Sequence, residues 1–172
     1  MAATKHAQAI KNDTKDFITT AMLQMLTKEK LQALTVSRVC KRAGVSRMAF
    51  YRNFDGLEQV LYEYYQPKIA AVFDTIRLNT QDSPKFDSQF NFFNMFGDAL
   101  LSSADRGFET IIQQIFIEEI KKFYAPDSDG YRTTFMSVGV YAIWRKWLLE
   151  GKQKPLKEIM GFLKQFDMIR EC

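Results

Sequence analysis

"TVSRVCKRAGVSRMAFYRNF", residues 35–54, decides how the rest of the chain is read. Thr35 and Ser46 each stand before a short run of helix-compatible residues, and both are N-cap types whose side-chain oxygens accept N–H groups at a helix start. Between the two runs, Ala43-Gly44 supplies the residue that tolerates a left-handed turn. Two short helices joined by a glycine turn make a helix-turn-helix pattern. Val39, Val45, Phe50 and Phe54 fall where they can face inward. Arg47, Met48, Tyr51 and Arg52 are then left to point outward from the second helix, the element that in such motifs enters the major groove of DNA.

Charge agrees with that reading. Residues 1–54 hold ten Lys/Arg against three Asp/Glu, a net +7. Residues 55–172 hold fourteen against seventeen, a net −3, and the two parts give the overall +4. A basic first third on a mildly acidic body suits an anionic partner held at one end.

Outward from the motif the chain reads as all-α. With 172 residues, 47% of them apolar, a sizeable core is available. A first helix is expected from about Asp13 to Lys28, with Phe17, Ile18, Ala21, Met22, Met25 and Leu26 as its apolar stripe. Asp55 can cap a fourth helix, which Pro67 should kink or restart. Further helices are expected near 86–103, 108–124, 131–150 and 155–169, divided by "NTQDSPKF", "APDSDG" and "GKQKP". The expected architecture is a three-helix DNA-binding head followed by a larger C-terminal helical bundle, about eight to nine helices in all. The head spans 1–54 and extends into helix four at about 55–66; residues 67–172 form the larger bundle.

Over "LTVSRVCKRAGVSRMAFYRNFDGLEQVL" the chain resembles the N-terminal DNA-binding domain of the TetR/AcrR family of bacterial regulators. That family pairs a Thr-Val-x-x-Ile-Ala helix with Ala-Gly-Val-Ser, then Tyr-x-x-Phe and a Lys-Glu-x-Leu start to helix four. The resemblance covers roughly residues 13–66 and implies a sequence-specific, homodimeric transcriptional regulator. It places Ser37 and Tyr51 on phosphates, Arg47, Met48 and Ala49 at base edges, and Arg52 and Asn53 near the DNA backbone. Ser46 completes the DNA-binding set as the residue opening the reading helix. Arg47 suits a guanine, and Met48 or Ala49 a thymine methyl. Leu57 stands where the family carries a phosphate-binding lysine, so one contact per subunit is in question.

In the larger half, helix 131–150 is apolar nearly all round. Phe135, Val138 and Ala142 form one stripe, Met136, Val140, Ile143 and Trp147 a second, and Tyr141, Trp144 and Leu148 a third. Such a helix must be covered on every side, and a partner subunit is the natural cover. Trp144, Trp147, Leu148, Ile159, Leu163 and Phe166 are the expected dimer-interface residues. The aromatic-rich middle helices would, by the family resemblance, enclose a ligand pocket, with Phe93, Phe96, Gln113, Phe116 and Tyr141 as candidates. A core filled by aromatics is the competing reading. The absence of clustered charge there favours a small neutral or apolar effector.

The remaining classes find less support. The one histidine, His6, leaves no parts for a His-based triad or metal cluster, and no phosphate-binding glycine loop, CxxC or HExxH occurs, so neither an enzyme nor a cofactor is expected. Adjacent acids such as Glu118 and Glu119 read as a solvated face. Two cysteines, Cys40 and Cys172, with no apolar signal core or membrane-length segment, suggest a cytoplasmic protein. The expected partners are palindromic double-stranded DNA, a second copy of the chain and an effector, with no membrane. A repressor is the first reading. An activator or co-regulator answering to a partner protein, of the dihydroxyacetone kinase operon type, and a chromosome-organising DNA-binding protein on the same fold stand beside it. A basic helical protein that binds another protein's acidic surface is a further rival.

Overall fold

The computed structural model describes the backbone of residues 2–78, 97, 98, 100–124 and 130–167, with side chains described for 13–75, 97, 98, 100–122, 130–163 and 165. These residues are helices and their connections, with no strand among them. They fall into two compact units. One comprises residues 1–66 with 103–111; the other comprises 67–102 with 112–172. Residues 103–111 join the first unit although they are distant from it in sequence.

In the first unit, α1 runs Ala2–Leu26. It starts well before Asp13 because "AATKHAQAIKN" lacks glycine and proline and carries several good helix formers. Ile18, Ala21, Met22, Met25 and Leu26 are buried as the stripe requires, whereas Phe17 is exposed. A 3₁₀ turn at Leu31–Ala33 leads to α2, Val36–Ala43, and then to α3, Arg47–Tyr51. Val39, Phe50, Phe54 and Leu61 close the core, with the Phe50 and Phe54 rings 5.7 Å apart. Val45 is half-buried. Within the same unit, Phe108 stacks on Tyr65 at 5.9 Å, and Gln32 donates from Nε2 to the Gly107 carbonyl at 2.8 Å.

Helix α4, Leu57–Leu78, continues through Pro67 without a restart. Pro67 removes one N–H donor, but it lies on an exposed side where water reaches the backbone. Residues 97, 98 and 100–106 are helical, and the last of these stretches is α5. The rest of the helix expected near 86–103 lies outside the described residues. Then follow α6, Glu109–Tyr124, α7, Tyr131–Leu149, and α8, Leu156–Asp167.

The core of the second unit is aromatic. The Phe116 ring lies 6.0 Å from Phe73, 5.7 Å from Tyr141 and 6.5 Å from Trp144, and Phe73 is 6.5 Å from Trp144. Trp147 donates from Nε1 to the Lys154 carbonyl at 2.7 Å, fixing the α7–α8 connection. Of the three apolar stripes on α7, the chain covers two. Met136, Val140, Tyr141, Trp144, Trp147 and Leu148 are buried. Phe135 at 61% exposure, Val138 at 44% and Ala142 are exposed, as are Tyr131, Leu149 and, on α8, Phe162.

Trp144, Trp147, Leu148 and Leu163, expected at the dimer interface, are buried within the chain's own core. The two tryptophans carry the largest apolar area and are the side chains that gain most from burial. Ile159 is half-buried, and the side chain of Phe166 lies outside the described residues. Glu119 is 1% exposed, not part of a solvated face, and its Oε1 accepts from Lys122 Nζ at 2.6 Å. Among the described residues no helix is long and apolar enough to cross a membrane.

Candidate nucleic-acid interface

The candidate surface is built by caps. Thr35 Oγ1 accepts the Arg38 N–H at 3.3 Å and starts α2. Gly44 closes that helix with φ 69° and ψ 27°, its N–H directed to the Cys40 carbonyl. This is the left-handed C-cap that glycine adopts without a side-chain penalty. Ser46 Oγ then accepts the Ala49 N–H at 3.0 Å and opens α3. The turn between the helices is thus set by three residues whose preferences are local.

What the caps present is a face of α3. Met48 is 66% exposed and Tyr51 52%, with Arg47 and Arg52 exposed beside them. Phe50, on the opposite side, is fully buried and holds the Tyr51 ring edge-on at 5.4 Å. Arg52 donates from Nη2 to the Met48 sulfur at 3.3 Å. Ser37, in the first turn of α2, is exposed, and Ala49 is half-buried.

Asn53 is tied back to α3. Its Nδ2 donates to the Ala49 carbonyl at 2.7 Å, and its Oδ1 is buried. The side chain closes the end of α3. Ser46 likewise serves first as a cap, since its oxygen already holds the Ala49 N–H.

The basic residues of the head divide into two kinds. Arg38 is held by both Glu29 oxygens, each at 2.8 Å, and by the Ala33 carbonyl at 2.7 Å. Lys15 meets Glu63 at 2.5 Å and lies 5.0 Å over the Phe54 ring. These two brace the fold. Lys28, Lys30, Lys41, Arg42, Arg47 and Arg52 are exposed and carry the head's positive charge outward. Arg42 also donates to Gln24 at 2.8 Å, across to α1. Burial pushes the Cys40 thiol up from its ordinary value of 9.0, against the opposing pull of Arg47. It stays protonated at neutral pH and acts as a small apolar core residue.

Among the pocket candidates, Phe116 and Tyr141 are brought together, while Gln113 is half-buried on α6. Phe93 and Phe96 lie outside the described residues.

A basic three-helix head with its second short helix exposed defines the class: a helix-turn-helix DNA-binding domain. Residues 18–64 match the model of the bacterial regulatory proteins of the tetR family, and the head is a tetR-family DNA-binding domain. No curated protein matches the chain in sequence. Among solved structures the chain is similar to NalD, the secondary repressor of the MexAB-OprM multidrug efflux pump in Pseudomonas aeruginosa. The identity is 15% and the TM-score 0.49, over 90% of this chain and 95% of that one. A second structure, of native NalD, aligns at 15% identity and a TM-score of 0.44, over 91% and 94%.

Proposed function

We propose that the protein is a homodimeric transcriptional repressor that binds a palindromic operator and is released by a small neutral or apolar effector. The observation that carries the reading is the α3 face, where Arg47, Met48, Tyr51 and Arg52 stand exposed on a head of the tetR family. Ser37 adds a phosphate contact from α2, and Ala49 lies at the edge of the same surface. Two such heads related by a two-fold axis would meet half-sites roughly 34–36 Å apart. In this reading the second copy would meet the exposed face of α7, Phe135, Val138 and Ala142, with Phe162 of α8. Residues 67–172 would carry dimerisation and effector binding, and the effector would act by favouring a geometry whose heads no longer match the operator.

The test is selection of duplexes from a randomised library by the full chain, followed by binding at increasing salt. Affinity for the selected duplex should fall by on the order of 10³-fold between about 50 and 200 mM salt. Binding that ignores both sequence and salt overturns the proposal.

A further inference from the structure

We propose that Met48 reads the 5-methyl group of a thymine in each half-site, with Arg52 as the residue that positions it. This rests on the DNA-binding reading above and adds which chemistry is read and by which side chain.

Of the described head residues, Met48 is the most exposed large apolar side chain, at 66% against 59% for Phe17 and 52% for Tyr51. Lone exposed apolar side chains are ordinary on protein surfaces; the setting of this one is not. It shares the outward face of α3 with Tyr51, directly after Arg47 and one turn before Arg52. Both neighbouring guanidiniums suit a polyanion, and the side chain between them is apolar.

The major groove offers hydrogen-bond donors and acceptors on every base pair and only one apolar projection, the thymine methyl. A thioether donates no hydrogen bond and accepts only weakly, so Met48 gains little against an amino or carbonyl group. Covering a methyl removes apolar surface from water on both sides. Ala49, the other candidate for such a contact, is shorter and half-buried, and reaches less far.

Arg52 supplies the second part. A methionine has three rotatable side-chain bonds and docks poorly defined unless something restrains it. The Arg52 Nη2 donor, 3.3 Å from the Met48 sulfur and one turn along the helix, supplies that restraint.

The test replaces thymines one at a time by deoxyuridine in duplexes selected by the full chain, which removes the methyl and leaves the pairing edge intact. For the parent protein, removing the methyl of one contacted thymine in one half-site should weaken binding about fourfold, the worth of one buried methyl-sized group. Met48→Ala should bind thymine and uracil duplexes alike, while Met48→Leu should keep most of the discrimination. Arg52→Ala should shrink the thymine-to-uracil ratio, a quantity that loss of a phosphate contact alone leaves unchanged. A parent that binds its selected duplex and loses nothing on any uracil replacement overturns the thymine assignment and leaves the DNA-binding reading standing. So does a loss that persists in Met48→Ala. An unchanged ratio in Arg52→Ala overturns the role of Arg52. Failure to select any duplex overturns the inference together with the reading it rests on.

Discussion

The Arg38 guanidinium clasps both carboxylate oxygens of Glu29, Nη1 and Nη2 each at 2.8 Å, and Nη1 also reaches the Ala33 carbonyl at 2.7 Å. One side chain of α2 thereby fixes the turn after α1 and the 3₁₀ turn that follows. Hydrogen bonding to Arg38 holds the Glu29 carboxyl below its ordinary value of 4.5. A carboxyl lowered in the folded state adds stability above its unfolded value and loses it as pH falls through the folded one. The difference in melting temperature between the parent and Glu29→Gln should therefore be present at pH 7, begin to shrink near pH 4.5 and vanish only once the pH has fallen below the lowered folded value. Both groups are open to solvent, so added salt should also narrow it.

Gly44 sits at φ 69° with nothing within 4 Å of where a Cβ would stand. A substitution there meets no clash and pays only the backbone penalty of the left-handed region. Gly44→Ala should destabilise the chain by about 1–2 kcal/mol, and Gly44→Asn by less, since asparagine visits that region more readily. Urea unfolding followed by circular dichroism measures both.

What could be read from the sequence follows from how local each cause is. Thr35, Gly44 and Ser46 act within four residues of themselves, and each is seen in the role its residue type suggests. Asn53 also acts locally, but an asparagine at a helix end can turn toward its own backbone or toward a partner, and only coordinates separate the two. The stripes of α7 were countable from spacing, yet spacing does not say which stripe the chain covers. That depends on what α6 and α4 bring to the core, here Phe116 and Phe73 against Trp144. Glu119 is hidden for the same reason, because burial of one acid in an adjacent pair depends on elements distant in sequence. Joining of 103–111 to the first unit rests on pairs such as Gln32 with Gly107, 75 residues apart. No periodicity records such a contact.

Arg47 and Tyr51 share the exposed face of α3 but should fail differently when removed. Arg47→Ala, if the side chain pairs with a guanine, should weaken binding to the selected duplex by about 1–3 kcal/mol and relax the preference at one base position. Tyr51→Phe removes only a phenolic hydroxyl and should weaken all duplexes by a similar factor, leaving the base preference intact. Fluorescence anisotropy on the selected duplex and its single-base variants separates the two outcomes.

The α7 face separates core from interface by mutation. Phe135 is 61% exposed, whereas Trp144 is 7% exposed and packs on Phe73 and Phe116. If a second copy covers Phe135, a two-fold axis brings two such positions near one another, and Phe135→Glu sets like charges on an apolar contact. Light scattering should then report a monomer of 20.0 kDa where the parent gives twice that mass, with melting of the chain's own helices largely retained. Affinity for the palindromic duplex should drop because the two heads no longer bind as one body. Trp144→Ala should do the reverse, lowering chain stability by about 3–5 kcal/mol through the cavity it leaves. A Phe135→Glu protein that stays dimeric would move the interface to another face.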